Sequence, residues 1–160
     1  FVQAAVDLPE LEFHVAGDGP LRPLVEKKAS SLPNLHYLGW LPREKVVSTL
    51  DGMDMLVLPS SVEAFGTVAI EAMARERLVL TSKHCGIAKW PDLAGGILTA
   101  EEGETFTEAI RRVQHLAPEE RQRHARTARE ASERVNVQTI DAWVDLLWQL
   151  ASRSNLACHG

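Results

Sequence analysis

Over roughly the first hundred residues the apolar positions fall into short runs, separated by stretches in which they recur at the three- and four-residue spacing of a helix face. Short runs of this kind read as buried strands, and strands alternating with helices build a parallel sheet covered by helices. The runs predict strands over Glu12–Ala16, Leu35–Leu38, Met55–Pro59, Leu78–Ser82 and Gly96–Thr99. The intervening stretches predict helices over Leu21–Ser30, over Arg43–Met53 with Pro42 at its start, and over Thr67–Arg75. The segment Ile87–Leu93 is too short and too punctuated to assign.

From Thr105 onward the pattern is helical only, with helices predicted over Thr105–Leu116, Pro118–Ser132 and Val137–Ser152. The middle one, "PEERQRHARTAREASER", reads as a solvated charged face rather than a basic binding face. In "DAWVDLLWQLASR", Trp143, Leu146, Leu147 and Leu150 share helical spacing, which predicts core packing. "FVQAAVDL", Phe1 to Leu8, reads as the end of a helix, which implies an upstream strand. Since Phe1 rather than Met opens the chain, a fragment of a longer protein is expected.

Composition narrows the class. The 160 residues suit a single domain, with the sheet and its helices over about 1–116 and the terminal helices over about 117–153. A formal net charge of -5 argues against general affinity for nucleic acid or an anionic membrane surface, because a polyanion partner needs clustered Lys and Arg. Cys85 and Cys158 are far apart and show no zinc-type spacing, so neither a disulfide framework nor a metal site is predicted. A reducing, cytoplasmic setting fits this usage. No apolar run is long enough to span a membrane and no signal peptide is apparent.

The candidate chemistry centres on "EAFGTVAIE", Glu63 to Glu71. Glu71 is the only charged residue between Ala64 and Ala74, and a carboxylate in such apolar surroundings needs hydrogen-bond donors. In open α/β sheets, ligands sit at the carboxyl ends of strands, where loops enter helix N-termini. Gly66 and Thr67 open such a helix, and its first amides suit a phosphate. Glu71 lies one turn further on the same face, about 6 Å along the axis, with its side chain leaning back toward that turn. A carboxylate accepts two hydrogen bonds, and the vicinal hydroxyls of a ribose offer two. Glu63, on the near side of the phosphate position, suits a hydroxyl-bearing group beyond a diphosphate. Ribose, diphosphate and hexose follow in that order in a nucleotide sugar. The plainer alternative makes Glu63 a loop acid and pairs Glu71 with Arg75 at i+4.

"EAFGTVAIEAMA" resembles the E-x7-E signature of retaining glycosyltransferases of GT-B architecture. "FHVAGDGPLRPLVEKKA" resembles that family's strand, GDGP turn and helix, and "NLHYLGWLPREKVVSTLDGMDMLVLPSS" its segment from the base-binding loop to the strand before the signature. The resemblance runs in order from Phe1 to Leu116. It implies a Rossmann-like parallel sheet flanked by helices, the C-terminal half of a GT-B enzyme, with a helical C-terminal segment packing back toward an N-terminal acceptor domain. By resemblance, Glu63 would contact the transferred sugar, orienting it, and Glu71 the ribose, with the amides of Phe65, Gly66, Thr67 and Val68 near the diphosphate. Gly17 and Gly19 would line the donor cleft. Trp40, Leu41 and Arg43 would frame the base, with core packing the alternative for Trp40.

The resemblance further implies transfer of a hexosyl unit from a nucleoside diphosphate sugar to a sugar, lipid or small acceptor, of the kind used in polysaccharide biosynthesis. It implies no cofactor and no metal, and a cytoplasmic enzyme that is peripheral at a membrane when whole. The family's diphosphate-gripping Arg and Lys would lie before Phe1, so the isolated chain is expected to be inactive. After the signature, "ARERLVL" puts Glu76 and Leu78 where the family tends to have Gly and Pro, which removes an easy left-handed helix stop. "KHCGIAKWPDLAGG" only loosely matches a glycine-rich turn near the donor; Lys83 and Lys89 read as surface lysines. His84 with Cys85 lacks an orienting acid for a catalytic pair, and the other histidines show no ligand spacing. Two alternatives are a non-catalytic nucleotide-binding module, marked by donor binding without turnover, and a GT-B-type epimerase, marked by interconversion of a nucleotide sugar without acceptor.

Overall fold

The computed structural model describes residues 1–157, with side chains described through 147. Its elements are α1 (Val2–Asp7), β1 (Phe13–Ala16), α2 (Arg22–Ala29), β2 (Leu35–Gly39), α3 (Arg43–Asp51), β3 (Met55–Leu58), α4 (Thr67–Ala74), β4 (Leu78–Thr81), a 3₁₀ turn (Gly86–Lys89), α5 (Pro91–Ala94), β5 (Leu98–Thr99), α6 (Phe106–Gln114) and α7 (Pro118–Ala157). Predicted strands and helices up to Leu116 are present, with ends differing by about two residues. The unassigned segment Ile87–Leu93 falls on the 3₁₀ turn and α5.

Every strand pair is parallel, as the alternation predicts. The expected single sheet is instead divided into two hydrogen-bonded pieces, β1–β2 and β3–β4–β5. The free edges of β1 and β3 flank a cleft of about 970 Å³, lined by Phe13 to Gly17 on one side and Met55 to Pro59 on the other. Among the described residues no strand pairs with either edge. The division shows in burial: all four residues of β4, paired on both sides, are buried, whereas all four of β3 are half-buried.

Two apolar cores lie on opposite faces, and one of them joins the pieces. One gathers Ala4 and Ala5 of α1, Phe13, Leu35, Leu80 and Ala109 and Ile110 of α6, and so spans both pieces. The other gathers Leu50 of α3, Ala69, Ala72 and Met73 of α4, Val79, Leu93, and Ala128 and Ala131 of α7. Neighbouring residues Val79 and Leu80 feed opposite cores, as the two-residue period of a strand requires. Buried Asn34 ties α1 to the start of β1: its side-chain amide donates to the carbonyls of Ala5 at 2.9 Å, Leu8 at 3.2 Å and Leu11 at 2.9 Å. α6 begins with a reciprocal cap in which the Thr105 hydroxyl accepts from the Glu108 amide and the Glu108 carboxylate from the Thr105 amide.

The helices predicted over Pro118–Ser132 and Val137–Ser152 are one helix, α7. Between Ser132 and Val137 there is no Gly or Pro to stop it. Its first half buries Ala128 and Ala131 in the second core, while its charged side chains pair on the outer face, Arg123 with Glu120 and Arg129 with Glu133 and Glu76. Further along, Trp143, Leu146 and Leu147 are not in a core but 62%, 43% and 60% exposed. Helical spacing shows that apolar residues share a face but not what covers it, and here Trp143 and Leu146 line a groove of about 330 Å³ with Trp90. Leu150 falls beyond the described side chains and Cys158 beyond the described residues. Among the described residues no helix is long and apolar enough to cross a membrane.

Candidate functional site

The loop from β3 to α4 carries Glu63 and is held from beneath by the segment after β4. The Gly86 amide donates to the Glu63 carbonyl at 2.9 Å and the Ile87 amide to the Phe65 carbonyl at 3.0 Å, with Glu63 and Cys85 forming a parallel bridge. The approach requires glycine at 86, because a Cβ there would lie 1.9 Å from the Ala64 carbonyl oxygen. Phe65 also meets Trp90 edge-on, with ring centroids 5.2 Å apart. Cys85 is buried with its Sγ 3.6 Å from the Phe65 carbonyl, while His84 is exposed. The thiol thus supports the loop and forms no catalytic pair with His84.

Gly66 caps α4 in the left-handed region, at φ 87 and ψ 60, and no side chain caps this helix end. The amides of Thr67 and Val68 are therefore left without helical acceptors and point out of the positive end of α4. The Phe65 amide, expected beside them, is engaged by Glu63 Oε1 at 3.3 Å. Glu63 is half-buried, its carboxylate folded over the turn.

Glu71 is half-buried one turn further along α4. The alternative pairing with Arg75 does not occur: the Arg75 guanidinium takes Asp51 in a two-pronged ion pair and holds that carboxyl below the usual carboxylate range through the hydrogen bond. Among the described residues Glu71 has no ion-pair or hydrogen-bond partner for its carboxylate.

Across the cleft, Gly17 adopts φ 123; its amide donates to the Gly39 carbonyl at 2.7 Å and its carbonyl accepts from the Tyr37 hydroxyl at 3.0 Å. Gly17, Trp40 and Leu41 line the same cleft as Leu58, Pro59 and Val68. Trp40 is 73% exposed and is not packed into either core of this chain. Exposed Gly19, whose amide donates to Asp18 at 2.8 Å, and exposed Arg43 at the start of α3 lie outside that lining. The structure thus gathers Gly17, Trp40, Leu41 and Val68 around the cleft, and Glu63, Phe65, Gly66, Thr67 and Glu71 on the loop and first turns of α4. Lys83 is a surface lysine, paired with Glu102 at 3.3 Å, and Lys89 is exposed.

The family model for glycosyl transferases group 1 matches residues 1–131. The chain belongs to this glycosyltransferase family. Over 147 residues it is 30% identical to a GDP-mannose-dependent alpha-(1-6)-phosphatidylinositol dimannoside mannosyltransferase of Mycobacterium tuberculosis, covering 91% of this chain and 35% of that protein. Over 96 residues it is 29% identical to an alpha-D-kanosaminyltransferase of Streptomyces kanamyceticus, covering 56% of this chain and 25% of that one. Among solved structures, WaaG, a glycosyltransferase involved in lipopolysaccharide biosynthesis, superposes with a TM-score of 0.67 at 26% identity, covering 82% of this chain and 38% of WaaG. HepE of Anabaena in complex with UDP-glucose superposes at 0.69 and 19% identity, covering 92% and 43%, which is a likeness of fold. The parallel sheet pieces between helix layers are thus those of a GT-B glycosyltransferase. This glycosyltransferase chain spans about a third of the length of the mycobacterial relative.

Proposed function

We propose that this chain is the donor-binding domain of a retaining glycosyltransferase that moves a hexosyl unit from a nucleoside diphosphate sugar to a sugar, lipid or small acceptor. The observation that carries the reading is the half-buried Glu71 carboxylate, without a partner among the described residues, one turn beyond the uncapped start of α4. In this reading the ribose hydroxyls donate to Glu71, the diphosphate lies against the amides of Gly66, Thr67 and Val68, and Glu63 swings from the Phe65 amide to the hydroxyls of the sugar. That exchange frees the Phe65 amide for the diphosphate. Gly17 and Gly19 flank the donor, while Trp40, Leu41 and Arg43 frame the base.

The barrier falls chiefly as charge on the departing diphosphate meets preorganised amides and the helix end, so donor chemistry needs no metal. Names of related proteins support the substrate class: one uses GDP-mannose, and one structure holds UDP-glucose. The cleft between β1 and β3 is of a kind that a further parallel strand would fill, and the length of the relatives leaves room for it and for an acceptor domain. The whole enzyme would work in the cytoplasm, peripheral at a membrane where its acceptor is a lipid.

The test is turnover by the full-length protein with Glu63→Ala. Transfer and donor hydrolysis should fall at least about 100-fold while nucleoside diphosphate binding stays within a few-fold, because Glu63 faces the sugar and not the ribose. Wild-type turnover by this variant would overturn the reading. Nuclear magnetic resonance of the first-formed product should show the donor's anomeric configuration retained.

A further inference from the structure

Two of the histidines that show no ligand spacing along the chain converge across the β1–β2 ladder. His14 and His36 are direct partners in the parallel register, and their rings lie 4.8 Å apart at 35°. Glu12 precedes β1 two residues before His14, which puts both side chains on the same face of the strand. His36 Nε2 lies 2.6 Å from Glu12 Oε2, and one ligand atom from each of Glu12, His14 and His36 falls within 4.8 Å of the others. Both histidines are half-buried and Glu12 is exposed.

We propose that Glu12, His14 and His36 form a binding site for a single divalent transition-metal ion of the zinc type. Two imidazoles and a carboxylate are a donor set suited to zinc, which takes N and O ligands at about 2.0–2.2 Å and, with three protein ligands, keeps its fourth position for water. A tetrahedron of such bonds spaces ligand atoms about 3.3 Å apart. His36 and Glu12 are already closer than that, so the ion replaces their direct hydrogen bond, and His14 closes the third side by a side-chain rotation. The two histidine backbones are fixed by the ladder, so little chain entropy is lost in closing the site. Exposed Glu12 leaves the fourth position open to water.

The site lies toward the amino-terminal ends of β1 and β2, whereas Gly17, Trp40 and Leu41 sit at their carboxyl ends. Glu12 and His14 line the same cleft as Gly17, Trp40 and Leu41 but at its opposite end, so the ion bridges the two strands there, and the inference rests on the ladder geometry and not on the functional reading above.

The test is a calorimetric titration of untagged, chelator-treated protein with Zn²⁺, alongside Co²⁺ followed by its visible absorption. One ion per chain is expected, with an upward shift of Tm on zinc addition. Affinity should drop at least about tenfold in His14→Ala, His36→Ala and Glu12→Gln, with the zinc-induced Tm shift lost, and should be unchanged in His84→Ala. Glu12→Gln alters an exposed side chain and carries the test if a histidine variant fails to fold. Absence of saturable zinc binding by the wild type, or equal affinity in Glu12→Gln, would overturn the proposal.

Discussion

The Gly86 amide donates to the Glu63 carbonyl at 2.9 Å, so the loop that presents the candidate catalytic carboxylate is held by a residue beyond the next strand. The hydrogen bond forms because position 86 has no side chain; a methyl group there would overlap the Ala64 carbonyl. Gly86→Ala should therefore push the Glu63 loop off its support at a cost of about 3 kcal/mol, at the upper end of overpacking penalties. Chemical denaturation measures the cost. Amide exchange should show faster opening at Gly86 and Ile87.

The stop of α4 predicts a stabilising change. The amides of Glu76 and Arg77 close back on the carbonyls of Met73 and Ala72, each at 3.0 Å, with Glu76 at φ 55. This is the left-handed stop that Gly supplies at low strain and Glu does not. The exposed Glu76–Arg129 pair offsets only part of the strain. Glu76→Gly should raise stability by about 0.5–1 kcal/mol, read as an upward shift in Tm.

Thr81, fully buried at the end of β4, has a hydroxyl without a hydrogen-bond partner among the described residues. Valine keeps the shape and removes the unsatisfied group. Thr81→Val should stabilise the fold by about 1 kcal/mol, within the range for relieving a buried unpaired polar atom. A lower denaturation midpoint would contradict the assignment.

Stability should also depend on acid in a stated direction. Arg112 donates to Glu104 from Nε and Nη2, both at 2.9 Å, and reaches the Thr99 carbonyl at 3.0 Å. The hydrogen bonds from Arg112, more than any other influence, hold the Glu104 carboxyl below its ordinary value of 4.5. The unfolded chain then takes up this proton more readily than the folded one. The contribution is complete above the ordinary glutamate value and is lost as pH falls through the lower folded value. Asp51, depressed mainly by its hydrogen bond from Arg75, acts in the same direction. Melting temperatures should fall on acidification below about pH 4.5, and less steeply in Glu104→Gln, which should also start lower at neutral pH.

The five strands were legible because each is a compact apolar run between polar helical stretches, and the Gly66 turn because a left-handed cap before an apolar helix favours glycine. What stayed hidden depends on which distant residues meet. The spacing of Glu71 and Arg75 permitted a pair, but nothing local revealed that Asp51, on α3, takes the arginine. His14 and His36 meet only through the register of the ladder, which runs of residue types do not encode. The break between β1 and β3 concerns pairing partners and not strand character. The continuity of α7 was readable from the absence of Gly and Pro between Ser132 and Val137; the change from charged to apolar composition suggested a boundary that the backbone does not have.

The central claim is that Glu71 is kept for a nucleotide ribose, and calorimetric titration of the full-length protein with GDP, UDP and ADP tests it most directly. One nucleotide should bind, and Glu71→Ala should weaken it at least about tenfold, the value of hydrogen bonds to a charged acceptor. Failure of all three to bind the full-length wild type, or equal affinity in Glu71→Ala, would contradict the account.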